Sequence, residues 1–466
     1  MTIKIAFHNV QKLKSSKLQK FMSQIDVPIA FPYLKSYIDK YLPGVAEFEV
    51  VDDINTVNPA DFDILGLSAY TDCFNQVQVI AKQAKEINPK LFIIIGGYHI
   101  SALPHTLPPS VDCGVIGEGE ETFKELLEVM GEEQTRPFPT GNFKKINGLV
   151  FREKENLVFT PKRDFIEPLD TIPFPDRNII KDNRAMILKG SLSTSRGCPY
   201  NCYFCASNVV WGECKTRFFS KDYVMSELEY ILNNTVFPSE LKAIAFMDSL
   251  FISNKPRLYE LVNGIEEKGF NKEVKFMITI RANLIDEETC KLLSRMNVSS
   301  VLIGMESGSS KILKNFNKRT TAQDNQLTLD LLYKYNIKPT CNFIFGSPYE
   351  TIDDMCRSFD FIIKNKTVEK IELVNMFVLT PFPGTYYWDW AKEKGLVQDN
   401  MDFGRFGEIT VPNSPMICTF EEWRTLREGY GIYLNNDIIE ESKFYDVLNQ
   451  FFNELVPFYM KNYSLG

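Results

Sequence analysis

Residues 191–207 read SLSTSRGCPYNCYFCAS. An alternating segment, SLSTSRG, has the spacing of a short strand, and its glycine opens a loop with three cysteines. Cys198, Cys202 and Cys205 are spaced C-x3-C-x2-C in a chain of 466 residues that has only ten cysteines. The reading of this strand and loop decides what the rest of the chain must build.

C-terminal to the loop, apolar runs alternate with helical patterns. KAIAFMDSLF, VKFMITIR, SVLIGMES, TCNFIFGSP and IELVNMFVLTP read as further strands. Between them lie KDYVMSELEYILNN, KPRLYELVNGIEEKG, DEETCKLLSRM, AQDNQLTLDLLYKYN and TIDDMCRSFDFIIKN, each with helical spacing. Six such βα units imply a partial barrel, two units short of the eight that close a full one. The thiols would then sit at the C-terminal end of its first strand, the end at which barrel active sites are built.

N-terminal to the loop, residues 1–125 show a second alternation. IKIAFHN, AEFEVVD, DILGLSA and KLFIIIGGYH read as strands, FPYLKSYIDKYLP and FNQVQVIAKQAKEINP as helices. Continuous apolar strands between helices indicate a parallel sheet covered on both faces, so a doubly wound domain is expected. The resulting fold class is α/β. A doubly wound domain spans 1–140, a hairpin and extended linker 141–185, a partial (βα)6 barrel 186–398, and a small, mostly helical region 399–466.

Composition narrows the function. Lysine plus arginine number 52 against 60 acidic residues, a net charge of −8, which argues against nucleic-acid backbone binding. No apolar run reaches the length of a membrane span and no export signal is visible, so a cytoplasmic protein is expected. Cys73, Cys113, Cys214, Cys290, Cys341, Cys356 and Cys418 are scattered singly and read as small buried hydrophobes.

The clustered trio needs its own chemistry. Structural zinc takes four closed ligands, commonly as two C-x2-C pairs, and no second pair follows. A four-iron cluster normally takes four thiolates. Supplying three leaves one iron open to another ligand.

RGCPYNCYFCAS resembles the cluster loop of the radical S-adenosylmethionine (radical SAM) enzymes, including the aromatic residue before the last cysteine. The resemblance implies a [4Fe–4S] cluster on Cys198, Cys202 and Cys205, with SAM chelating the open iron and being cleaved reductively to a 5′-deoxyadenosyl radical. It also implies SAM contacts. Phe204 matches the aromatic near the adenine, Glu306 and Ser307 in GMESGS the ribose-contacting group, and Asp248 and Arg281 the polar contacts at strand ends. FGSPYET and TPFPGT close the fifth and sixth strands as in that family.

The N-terminal domain resembles the cobalamin-binding domain that precedes the barrel in many radical SAM enzymes. Ser68, Gly96 and Gly97 fit the interval of the family's serine and Gly-Gly, and Gly117, Glu118 and Gly119 its next loop. No D-x-H-x-x-G is present to supply a lower histidine ligand, and His8, His99 and His105 lack that context. Cobalamin would then bind without a protein imidazole, with an empty scaffold as the alternative. His99, after Gly97, reads as a satisfied loop histidine, with a cobalamin neighbour as the alternative.

The implied activity is cobalamin-dependent methylation of an unactivated carbon, in a class B methyltransferase-like branch. The alternative is a radical SAM dehydration, rearrangement, cyclisation or epimerisation, with or without cobalamin. A metal-stabilised binding module without catalysis is the reading from another class. Expected partners are a small-molecule, peptide or lipid substrate and a flavodoxin- or ferredoxin-type electron donor. No nucleic acid and no membrane span are expected.

Overall fold

A computed structural model describes residues 2–10, 29–51, 54, 58–68, 70–132, 141–180, 190–212, 214–235 and 242–405. Of the helical region expected over 399–466, all beyond 405 lies outside the described residues. The chain divides into two compact units. One comprises Met1–Gly190, Ala206–Thr235 and Phe382–Gly404; the other comprises Ser191–Cys205, Val236–Pro381 and Arg405–Gly466.

The first unit is built on five parallel strands, β1 (Ile3–Asn9), β2 (Ala46–Val50), β3 (Ile64–Ser68), β4 (Phe92–Gly96) and β5 (Cys113–Val115). A hairpin, β6 (Leu149–Glu153) and β7 (Asn156–Phe159), continues the sheet antiparallel. The order is β2-β1-β3-β4-β5-β6-β7. Its parallel part has the flavodoxin-like order, which reverses between β1 and β3 and binds ligands beyond the strand C-termini there. Phe92 to Ile95 are buried without a break because helices cover both faces of the sheet. Phe7 stacks on Phe31 with ring centroids 4.7 Å apart, and Ile94, Phe123 and Leu127 complete this side of the core.

The second unit holds six parallel strands in sequence order: β8 (Ser191–Leu192), β9 (Ala243–Phe246), β10 (Lys275–Ile280), β11 (Val298–Glu306), β12 (Lys338–Phe345) and β13 (Leu373–Val378). The partial barrel read from six βα repeats is present in this sheet. The helices after its first and sixth strands, Lys221–Asn234 and Tyr386–Glu393, group with the first unit. Capping boxes at Thr321 and Thr351 start the helices Ala322–Lys334 and Ile352–Thr367.

Burial alternates strictly along β12. Phe343 and Phe345 pack on Phe361 and Phe359 of the helix Ile352–Thr367, so Asn342 and Ile344 point to the face without helices. The strand expected over 191–197 is interrupted: Ser191–Leu192 pairs in this sheet and Ser195–Arg196 is a separate short strand, while the Thr194 amide between them donates to the Asp248 carboxylate. Among the described residues, no helix is long and apolar enough to cross a membrane.

Candidate functional site

The loop after β8 is tied down by residues more than a hundred positions away. Tyr203 donates its amide to the Phe316 carbonyl at 3.0 Å, and Asn317 donates its side-chain amide to the Asn201 carbonyl at 2.7 Å. Phe204 meets Phe316 edge-on at 5.2 Å, and the Lys318 ammonium lies 5.8 Å from the Phe204 ring centre. Cys205 donates its amide to the Cys202 carbonyl, which tightens the turn between the last two thiols.

None of the three cysteines is in a disulfide; Cys202 is buried and its neighbours half-buried. Burial is the largest influence on Cys198 and raises its pKa, and Cys205 and Cys202 add to the rise. A bound metal, like the nearby Arg281 guanidinium, would favour the thiolate form. No group of three His, Cys, Asp or Glu among the described residues is gathered closely enough to chelate a single ion. A cubane distributes its thiolates over separate irons, and three unbridged thiols on one loop suit it. The donor set fits a cluster.

Arg281 closes this loop from the end of β10. It is buried, donates Nη1 to the Cys202 sulfur at 3.3 Å and Nε to Asn283 Oδ1 at 3.0 Å, and lies 3.8 Å over the Tyr200 ring. Asn283 donates in turn to the Tyr200 hydroxyl at 3.1 Å. Arg281 Nη2 is buried and has no acceptor among the described residues. A buried guanidinium donor beside a cluster thiol is a place for an anionic ligand such as a carboxylate. The residues present fit SAM on an open iron.

The other expected SAM contacts reach the same strand ends but are engaged within the protein. Asp248, buried after β9, accepts from the Thr194 amide and hydroxyl and from the Ser195 hydroxyl. It holds the root of the cysteine loop, and burial raises its pKa against those hydrogen bonds. Glu306 ends β11 with φ of 60° and accepts from Lys318 Nζ at 2.8 Å, both side chains nearly buried. Ser307 shares a 3.0 Å hydrogen bond with Ser358 and accepts from the Ser309 amide. Ser309 and Lys311 donate to Asp354, which locks the GMESGS turn to the helix Ile352–Thr367.

In the first unit, Ser68 and Gly96 end neighbouring strands in register, and the Val10 amide donates to the Ser68 carbonyl at 2.8 Å. A Cβ placed on Gly96 would meet no atom within 4 Å, so the edge beyond β4 is open to close approach by a bulky group. That edge fits a large cofactor. Gly97, with φ of 106°, turns the chain into the short helix Tyr98–Ala102, and Ser101 Oγ donates to its carbonyl while accepting from the Gly117 amide. Glu118 points elsewhere. It forms a buried two-bond ion pair with Arg217 and accepts from the Ile166 amide. A Cβ on Gly119 would make ordinary contact with Leu34.

His99 is in the first turn of that helix, not in a loop, and is fully buried. It stacks on Phe74 at 3.7 Å, and its Nε2 pairs with Thr106 Oγ1 at 3.0 Å. Burial, with some repulsion from His105, lowers its pKa to about 3, so the ring is neutral. His8 Nδ1 bonds the Val51 carbonyl and His105 pairs with Asp399. Of the cysteines read as buried, Cys73, Cys113, Cys290 and Cys341 are so, while Cys214 is exposed.

Sequence reading missed Tyr200, Asn283, Phe316, Asn317, Lys318 and Glu350. Tyr200 had a signal, since it lies inside the cysteine loop. The others hold the loop through tertiary contact, which no local pattern encodes. Glu350, in FGSPYET, is buried and accepts from the Gly346 and Ser347 amides; burial raises its pKa to about 8.

Comparison with known proteins agrees with this geometry. Residues 192–362 match the radical SAM superfamily and residues 45–127 the B12 binding domain. An uncharacterised methyltransferase of Pyrococcus horikoshii is 29% identical over 394 residues, 82% of each chain. The anaerobic magnesium-protoporphyrin IX monomethyl ester cyclase of Rubrivivax gelatinosus is 24% identical, over 81% of this chain and 66% of that one. Among solved structures, the radical SAM methyltransferase TsrM of Kitasatospora setae, with cobalamin and a [4Fe–4S] cluster bound, superposes with a TM-score of 0.65. That match covers 85% of this chain and 79% of TsrM at 17% identity, and it speaks to the fold. With a three-thiol loop ending the first barrel strand and a doubly wound domain ahead of it, the chain belongs to the radical SAM superfamily, in the branch that carries a cobalamin-binding domain.

Proposed function

We propose that this enzyme performs cobalamin-dependent C-methylation of an unactivated carbon. Arg281 carries the reading: it is a buried guanidinium bonded to Cys202, with a further N–H that has no acceptor among the described residues. When bound, the cluster with SAM supplies a 5′-deoxyadenosyl radical, and cobalamin supplies a transferable methyl group. Cys198, Cys202 and Cys205 would hold the cluster, and Arg281 would pair with the carboxylate of SAM. Phe204 offers an apolar ring face beside them, and the Glu306–Lys318 pair keeps two opposite charges in balance near it. Asp248 fixes the start of the loop, so the thiols are presented without reorganisation. Ser68 and the Gly96–Gly97 edge of the first unit would approach the cobalamin.

The experiment is anaerobic reconstitution with iron, sulfide and hydroxocobalamin, followed by SAM and a chemical reductant. Formation of 5′-deoxyadenosine and a product heavier by one CH2 group supports the proposal. Because one relative is named a cyclase, the second reading is a radical SAM reaction without methyl transfer. A turnover product lacking the CH2 gain would favour it. A flavodoxin- or ferredoxin-type donor and a cytoplasmic location belong to the same proposal.

A further inference from the structure

The helix-free face of the second sheet differs from a filled barrel interior. A closed (βα)8 barrel packs this face with layered side chains. Here side chains on it are exposed among the described residues: Met277 is 45%, Leu302 39% and Leu373 37% accessible. Strand register sorts its side chains into rows. Leu302 stands beside Thr340 and Thr340 beside Leu373; one row nearer the strand C-termini, Gly304 stands beside Asn342 and Asn342 beside Asn375. Met277 lies on the preceding row, next to Ser300.

Two features give this face a chemical preference. The first is charge. The row of Thr279, Leu302, Thr340 and Leu373 carries no ionisable side chain; the charges lie at the two ends, Lys275 and Lys338 at the strand starts, and Arg281, which follows β10, with the Glu306–Lys318 pair at the level of Gly304. An ionised group seated in the Leu302 row would lose hydration without a counter-charge in that row. The second is the amide pair. Asn375 Nδ2 donates to Asn342 Oδ1 at 3.0 Å. That bond leaves the Asn342 N–H2 group and the Asn375 side-chain oxygen with hydrogen-bonding capacity to spare, a donor beside an acceptor on adjacent strands. An amide or a hydroxyl satisfies both, whereas a carboxylate or phosphate offers only acceptors.

The face is continuous with the reactive end. A Cβ on Gly304 would lie 2.1 Å from Glu306 Oε1 and 2.6 Å from Lys318 Nζ, so the ion pair rests directly on the amide row. The same Lys318 reaches the Phe204 ring of the cysteine loop.

We propose that this face binds the substrate, and that the substrate is a neutral, largely apolar molecule with one amide or hydroxyl group, recognised by Asn342 and Asn375. This rests on the radical SAM reading for the location of the reaction but not on methyl transfer. The test is a binding measurement on the reconstituted holoenzyme, without reductant, by isothermal titration calorimetry. Decanamide, decanoate and decyl phosphate serve as probes, each below its aggregation threshold. Decanamide is expected to bind at least tenfold more tightly than either anion. Asn375→Leu should weaken it about tenfold, as should Leu302→Asp, with iron content and melting temperature as checks on folding. Should either variant fail to fold, Asn342→Leu is the substitute. Equal or tighter binding of an anion, indifference of decanamide to the variants, or no binding of any probe overturns the proposal. Because no turnover is measured, loss of the methyltransferase reading would show separately, in the product mass.

Discussion

Replacing Arg217 by methionine isolates the energetics of the Glu118 loop. Arg217 donates to both carboxylate oxygens of Glu118, at 2.8 and 3.1 Å, and to the Ile166 carbonyl at 3.0 Å, with both charged side chains under a twentieth exposed. Its guanidinium also lies 4.5 Å over the Phe165 ring. Methionine fills much of the volume but leaves the carboxylate buried with no cation, a loss of about 3–5 kcal/mol. At roughly 2–4 °C per kcal/mol for a unit of 150–250 residues, the first thermal transition should fall by on the order of 10 °C. The double variant Glu118→Leu/Arg217→Met removes both charges and should recover most of that loss, since apolar replacement of a whole buried pair is often neutral. Differential scanning fluorimetry of wild type, both single variants and the double variant completes the cycle. A shift under about 3 °C for Arg217→Met, or a double variant no more stable than the single one, would refute the reasoning.

Three further outcomes follow from particular contacts. Glu350, with its pKa raised by burial to about 8, makes the second unit lose stability as pH rises from the ordinary carboxylate range to about 8; Glu350→Gln should abolish this slope in melting scans at pH 5 to 8. His99 has the opposite sign: its pKa is depressed to about 3, so its stabilisation is complete above its ordinary value near 6.5 and fades as pH falls. Melting of the first unit should therefore drop between pH 7 and 5, and less so in His99→Phe. Gly308→Ala would put a Cβ 2.4 Å from the Arg357 carbonyl oxygen, a backbone atom that cannot rotate away. It should cost about 3 kcal/mol and reduce iron retained after desalting, because the displaced turn carries Glu306. Unchanged melting and iron content would contradict that.

The two α/β units were legible because their strands are continuous apolar runs, as in FIIIG and AIAF, and their helices have clear spacing. The three thiols were legible because nothing else in the chain has that density of cysteine. Arg281 stood out as a charge at a strand end. Less visible was that Asp248, Ser307 and Glu118 spend their polar atoms on Thr194, Ser358 and Arg217. Those partners are separated by 54, 51 and 99 positions, so sequence revealed the residue type but not its direction. The same limit hid Phe316 to Lys318. His99 was placed in a loop because Gly96-Gly97 reads as a break, while Gly97 instead turns directly into a helix.

The fastening of the cysteine loop by Phe316 and Asn317 bears on biogenesis. Translation proceeds at about 5–20 residues per second, so at least several seconds separate synthesis of the thiols from synthesis of their clasp. During that interval the nascent segment exposes three nucleophilic sulfurs with no fixed spacing. Iron and sulfide delivered by an assembly factor would find a shaped receptor only once residue 317 has left the ribosome, so maturation waits on the clasp and not on the thiols themselves.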